Sequence, residues 1–195
     1  MASDLTSGRS NQKQRTRAAI LDAARDTVRT GETPTMPAVA KKALVSEATA
    51  YRYFPDLAAL LREAFVAVLP TVEELMAPVS NEPDPTVRVA FAATAMMREI
   101  RDHEGAIRVM ISSTVARPTG AAQRPRRRFG LIDIALQPVA ESFKPRGLQQ
   151  LRRDLAVVIG AEAYLTLVDL VGLTPDEAIK SAVHTATTLT RAAVG

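Results

Sequence analysis

A chain of 195 residues with 47% apolar residues holds a real core, enough for a small module continuous with a larger body. The absence of cysteine excludes disulfides, thiolate nucleophiles and Cys-ligated zinc, and a 4% aromatic content with rare β-branched runs favours an all-α fold. The net charge of +4 is uneven: residues 1–62 hold ten Lys and Arg against six Asp and Glu, while residues 63–195 hold fifteen of each, so a polyanionic partner is expected for the N-terminal end alone.

Residues 1–12 are polar and lack an apolar run, so no signal peptide is expected, and residues 1–13 read as a disordered arm. A first helix is predicted over 14–30, with Ile20, Leu21, Ala24 and Val28 on one face and Gly31 as a left-handed cap. A short second helix follows over 36–43, capped by Thr35, with Pro37 in its first turn and Met36, Val39 and Ala40 facing inward. After the turn Ala43-Leu44-Val45, Ser46 caps a third helix over 47–53. Pro55 stops it, and Asp56 caps a fourth predicted to run from 57 to about 77. Further helices are expected near 84–103, 105–117, 126–143, 147–171 and 175–193, about nine in all. Thr174-Pro175-Asp176-Glu177 forms a capping box at the start of the last. The most apolar stretch, residues 155–173, carries Glu162 and Asp169 and reads as a buried helix rather than a span. No membrane partner and a cytoplasmic location are therefore expected.

Three short helices with a three-residue turn between the second and third have helix-turn-helix spacing. The polar residues there suit duplex DNA. Ser46, Thr49, Tyr51 and Tyr53 offer hydroxyls to phosphates, and Arg52 pairs with a guanine or a phosphate. Glu47 accepts from cytosine N4, and Ala48 touches a thymine methyl. Lys41 and Lys42 are phosphate contacts, and Thr35 adds a hydroxyl at the positive end of the second helix. The competing reading is a plain three-helix corner in which Tyr51, Tyr53 and Phe54 are core; Phe54 is expected to be core in either case.

The segment resembles the TetR family of bacterial regulators. The resemblance rests on Ile20-Leu21-Asp22-Ala23-Ala24, Gly31, Thr35-Met36-Pro37-Ala38-Val39-Ala40 and Ala43-Leu44-Val45-Ser46. It continues through Ala48-Thr49-Ala50-Tyr51-Arg52-Tyr53-Phe54-Pro55-Asp56 and Leu60-Leu61. It implies a DNA-binding domain over 14–62 and a helical ligand-sensing and dimerisation domain over 63–195. It also implies a homodimer on a palindromic operator, and a repressor released by an apolar small molecule. Two positions depart from the family pattern. Leu44 stands where the turn usually has glycine, and Leu57 stands where a phosphate-binding lysine usually begins the fourth helix.

In the body, Phe65, Leu69, Met76, Phe91, Met96, Met97, Ile100, Met110, Phe129 and Ile132 are soft apolar residues expected to surround a ligand cavity or to fill core. Leu155, Val158 and Leu165, with Ala178, Ala182, Ala186 and Leu189 of the last helix, are expected at a dimer interface. Glu99 and His103, at i and i+4, lack a second ligand pair, so a solvated helix end is preferred to a metal site. His184 reads as surface or interface. Arg117 to Arg128 holds five arginines and no acid, and Arg126-Arg127-Arg128 is read as a solvated helix end, with an anion gate as the sharper alternative. No catalytic motif is found, so neither enzyme activity nor a cofactor is expected. The alternatives are a DNA-binding regulator of the same fold without small-molecule sensing, or a helical carrier or enzyme with a vestigial DNA-binding module.

Overall fold

A computed structural model describes residues 3–116 and 127–194, and every regular element among them is helical. Arg117, Arg124 and Arg126 of the arginine-rich segment lie outside the described residues. Among the described residues eleven α-helices are present: α1 Ser3–Arg29, α2 Met36–Lys42, α3 Glu47–Tyr53, α4 Leu57–Val68, α5 Val72–Met76, α6 Pro85–Asp102, α7 Glu104–Ala116, α8 Arg127–Leu136, α9 Pro145–Val158, α10 Ala161–Leu165 and α11 Pro175–Val194. The count exceeds the expected nine because two long predictions each split. The helix expected over 57–77 ends at Val68, because Pro70 cannot continue it; Thr71 then restarts the chain with a reciprocal Thr71–Glu74 capping box. The helix expected over 147–171 breaks at Ile159-Gly160, and α10 passes into a π-helical turn over Thr166–Leu170. At the other end, α1 begins at Ser3 rather than at residue 14. Residues 3–13 contain no proline and only Gly8 as a strong breaker, so the polar arm continues the helix.

The helices form two compact units, α1–α4 with α7, and α5, α6 and α8–α11. In the first, α1 packs on α2 and α4, α2 on α3, and α4 on α7. Ile20, Val28, Val39, Ala50, Leu60, Leu61 and Ala64 are 0–1% exposed there. Each large side chain among them contributes roughly 1.5–3 kcal/mol by leaving water. This burial is what orders helices as short as α2 and α3, which would not persist alone. Gly31 takes φ +71° after α1, as the cap reading requires. At the start of α7, Gly105 lies so close to Thr33 that a Cβ would stand 2.6 Å from its Oγ1 and 2.9 Å from its Cα. His103 Nδ1 bonds the Val28 carbonyl at 3.0 Å, and its ring meets Phe65 edge-on at 5.5 Å.

In the second unit, α6 packs against α11 and α8, and α9 packs against both α8 and α11. Arg88 of α6 is only 3% exposed and has no carboxylate partner among the described residues. Its guanidinium instead donates to the carbonyls of Ala135 (3.2 Å) and Ile134 (2.6 Å) at the end of α8. It also donates to those of Val79 (2.7 Å), Ser80 (2.9 Å) and Glu82 (3.4 Å). A cation over a helix C-terminus meets the negative end of the dipole and satisfies carbonyls the helix leaves orphaned. Thr174 and Glu177 cap α11 reciprocally, as the sequence predicts.

Candidate nucleic-acid interface

The Thr35 hydroxyl accepts from the Ala38 amide at 3.2 Å and starts α2, whose buried residues are Met36, Val39 and Ala40. The turn after α2 is a Schellman motif. The Val45 amide reaches back to the Ala40 carbonyl at 3.0 Å and the Leu44 amide to that of Lys41 at 3.1 Å. That geometry needs a left-handed residue between them, and Leu44 supplies it at φ +56° with its side chain 92% exposed. Ser46 then accepts from the Thr49 amide at 3.2 Å and starts α3. Only Ala50 of α3 is fully buried; the helix is held by it, by the Ser46 cap and by half-buried Tyr53 packed on the core, while its other side chains stay accessible.

Of the ten expected DNA contacts, Thr35, Lys41, Lys42, Ser46, Glu47, Ala48, Tyr51 and Arg52 are exposed, and Thr49 and Tyr53 are half-buried. Tyr51 is 46% exposed, whereas Phe54 is 3% exposed and belongs to the core. Lys41 and Arg52 have no carboxylate partner among the described residues, and Lys42 lies 3.6 Å from Asp26. The Arg52 guanidinium sits 5.6 Å from the Tyr53 ring. Leu57 is half-buried and packs on the first unit's core, so the entry to α4 presents an apolar group rather than a cation.

A groove of about 700 Å³ lies between α1 and α3. Gln12, Lys13 and Thr16 line one side; Val45, Ser46, Thr49, Arg52 and Tyr53 line the other. The three α1 residues were not anticipated as site residues. The run Lys13, Arg15, Arg17 was the available signal, but only the fold shows which of the three turns toward α3. Arg17 turns away: it pairs with both Glu63 oxygens of α4, at 2.7 and 2.6 Å, and lies 4.9 Å from the Phe54 ring. Its hydrogen bonds with Glu63 raise the Arg17 pKa and hold it charged.

The other expected sites are distributed as follows. Phe65, Leu69 and Met110 belong to the core of the first unit. Met76, Phe91, Met96, Phe129 and Ile132 belong to that of the second, and Met97 and Ile100 are buried on α6. Of the expected interface residues, Leu155, Ala178, Ala182 and Ala186 are 0–2% exposed within the single chain, because α11 packs against α6 and α9 packs against α8 and α11. Val158, Leu165 and Leu189 are half-buried. Arg127 is not solvated, nor does it form an open anion gate. It binds both oxygens of Glu99 and the Pro70 carbonyl, the pair being 15% and 11% exposed. Arg128 bonds the Ala156 carbonyl and pairs with Glu162. Glu99 and His103 thus each have partners of their own. No group of three metal-ligating side chains occurs among the described residues. No helix among them is long and apolar enough to cross a membrane.

Residues 20–64 match the family model described as bacterial regulatory proteins, tetR family. Searches of the curated proteins and of the solved structures find no match.

Proposed function

We propose that this chain, whose residues 20–64 match the tetR family of bacterial regulatory proteins, is a dimeric repressor that reads a palindromic operator and is released from it by an apolar small molecule. The observation that supports DNA reading most directly is α3. It carries Ser46, Glu47, Ala48, Tyr51 and Arg52 exposed on a helix anchored by Ala50 and the Ser46 cap, inside the segment that matches the family. A helix so anchored enters a major groove with little reorganisation, and its side chains match base-edge and phosphate chemistry. Dimerisation serves the same end, since two such helices about 34–36 Å apart meet successive major grooves. Support for a second copy comes from Val157, Leu170 and Val171, which are 73%, 82% and 60% exposed on the second unit. Support for an apolar effector comes from Phe91, Met96 and Phe129, soft side chains left half-buried there. A cytoplasmic site of action follows from the DNA partner.

The test is selection of duplexes by the full chain from a random pool, followed by footprinting. The expected product is an inverted repeat, and Arg52→Ala should weaken binding to it by about 1–3 kcal/mol if Arg52 reads a base. Failure to enrich any sequence at moderate salt removes the reading. Retained enrichment without release across a panel of apolar compounds removes only its effector half.

A further inference from the structure

We propose that the groove between α1 and α3 seats the sugar–phosphate backbone of the strand flanking the base pairs read by α3, with Lys13 as the phosphate-binding cation supplied by α1. The inference rests on the DNA-binding reading above and extends it to a helix end outside the family-matched segment 20–64.

The lining chemistry selects the occupant. Among the described residues the groove presents two cations, Lys13 and Arg52, several hydroxyls and no carboxylate, and about 700 Å³ accommodates a run of backbone rather than a single ion. Neither cation has a carboxylate partner among the described residues, so neither must give up an ion pair to bind an anion. The Thr16 hydroxyl donates to the Gln12 carbonyl at 3.0 Å, which leaves the Ser46–Thr49 pair as the outward donor. The Ser46 and Thr49 oxygens lie 2.9 Å apart, so one proton bridges them and the other is left to donate outward. A wall of cations and hydroxyl donors without acids is the chemistry that grips phosphodiester oxygens and fixes register without reading sequence. Continuity supplies the direction. Arg52 belongs both to the groove and to the exposed face of α3, so a strand whose base edges face α3 carries its backbone past Lys13. Lys13 is thus a positioning residue.

The experiment follows fluorescence anisotropy of the full chain on two labelled duplexes across a range of NaCl concentrations. One duplex is recovered from the random pool and the other has mixed sequence. Lys13→Gln should reduce the steepness of log K against log[salt] by about 0.9 per protomer on both duplexes, leaving the preference between them unchanged. Arg15→Gln makes the same charge change at an exposed position of the same helix, outside the groove lining, and should leave the slope within error. Neutral methylphosphonate substitutions along the recovered duplex should reveal a phosphate whose loss weakens the wild type and not Lys13→Gln. An unchanged slope in Lys13→Gln, an equal change in Arg15→Gln, or the absence of any Lys13-dependent phosphate overturns the proposal. If the wild type prefers its duplex while Lys13→Gln keeps the full slope, the groove assignment alone falls. If the wild type binds neither duplex, the DNA-binding reading falls with it.

Discussion

Replacing Leu44 by glycine should stabilise the protein, although it removes a large apolar side chain. Leu44 holds φ +56°, where the Cβ of an L residue crowds its own backbone at a cost of about 1–2 kcal/mol. The side chain is 92% exposed, so its removal forfeits almost no burial. Against the relief stands the greater freedom of glycine in the unfolded chain, about 0.5–1 kcal/mol. The net gain is then about 0–1.5 kcal/mol, centred near 0.75 kcal/mol, or a rise in Tm of up to about 6 °C for a chain of this size. The hydrogen bonds that hold the turn, from Leu44 to Lys41 and from Val45 to Ala40, lie in the backbone and survive the change. Leu44→Ala is the decisive control, because alanine keeps the Cβ and only shortens the side chain; it should stay within about 0.5 kcal/mol of the wild type. Urea titration followed by circular dichroism measures all three proteins, with an unchanged m-value as the check that the denatured state is comparable. A glycine variant less stable than the wild type, or an alanine variant that gains as much as glycine, refutes the argument from backbone strain.

Arg88→Met should lower stability by about 3 kcal/mol, seen as a fall in Tm of roughly 6–12 °C, because it removes the buried donor that the carbonyls of Ile134, Ala135, Val79 and Ser80 share. Arg88→Lys should recover only part of this, since one ammonium cannot reach both the α8 carbonyls and those of Val79 and Ser80; full recovery would show that charge alone matters. Arg127→Ala should cost about 3–5 kcal/mol by leaving Glu99 charged and 11% exposed, whereas the double change Glu99→Leu/Arg127→Met should be far milder. A double variant no more stable than the single would show that the pair does more than satisfy itself. Glu74 and Glu177 are held below the usual carboxylate range, Glu74 chiefly by the Thr71 backbone amide and Glu177 chiefly by the Thr174 hydroxyl. Depressed folded-state pKa values mean that both caps stabilise above about pH 4.3 and lose that contribution as pH falls through the folded values. Glu177→Gln should therefore flatten the decline of Tm between about pH 5 and 3, and an acid limb as steep as the wild type's would contradict the assignment.

The helix-turn-helix was legible because its signals are local. Thr35, Ser46 and Asp56 each sit one residue before a helix and accept from an amide three residues on, and such caps act through their own neighbours. The same holds for Gly31 and for the Thr174–Glu177 box. Where reading by period failed, a backbone constraint overrode an apolar pattern that continued across it. Pro70 interrupts the run that otherwise extends from Leu57 to Met76, and Gly160 interrupts that from Leu151 to Val168. The faces of α11 were harder still. Ala178, Ala182 and Ala186 form a small-residue stripe that suits any close helix neighbour, and periodicity does not say whether that neighbour is α6 of the same chain or a helix of a second copy. Arg88 gave no sequence signal, because its partners are carbonyls, which every residue has.

Charge counting met the same limit in a form that bears on function. The basic excess of residues 1–62 locates a polyanion partner, but it cannot tell a committed cation from a free one. In the folded chain, Arg17 is bound to Glu63 and Phe54, Arg25 pairs with Asp22, and Arg29 shares Asp26 with Lys42. Lys13, Arg15, Lys41, Arg52 and Arg62 are left without carboxylate partners among the described residues. The groups within each set differ in what their release would cost. The Lys42–Asp26 contact is long, with both side chains about half exposed, and is worth at most about 1 kcal/mol, so a phosphate can take Lys42 over. Arg17 is held by two short bonds and an aromatic face, and a phosphate would have to replace all three. With an apolar residue at position 57, the DNA reading proposed above assigns the phosphate grip to cations without carboxylate partners among the described residues. Lys13, Lys41 and Arg52 are such cations on three different helices, and three charges so distributed would fix the orientation of α3 on a duplex better than the same three on one helix.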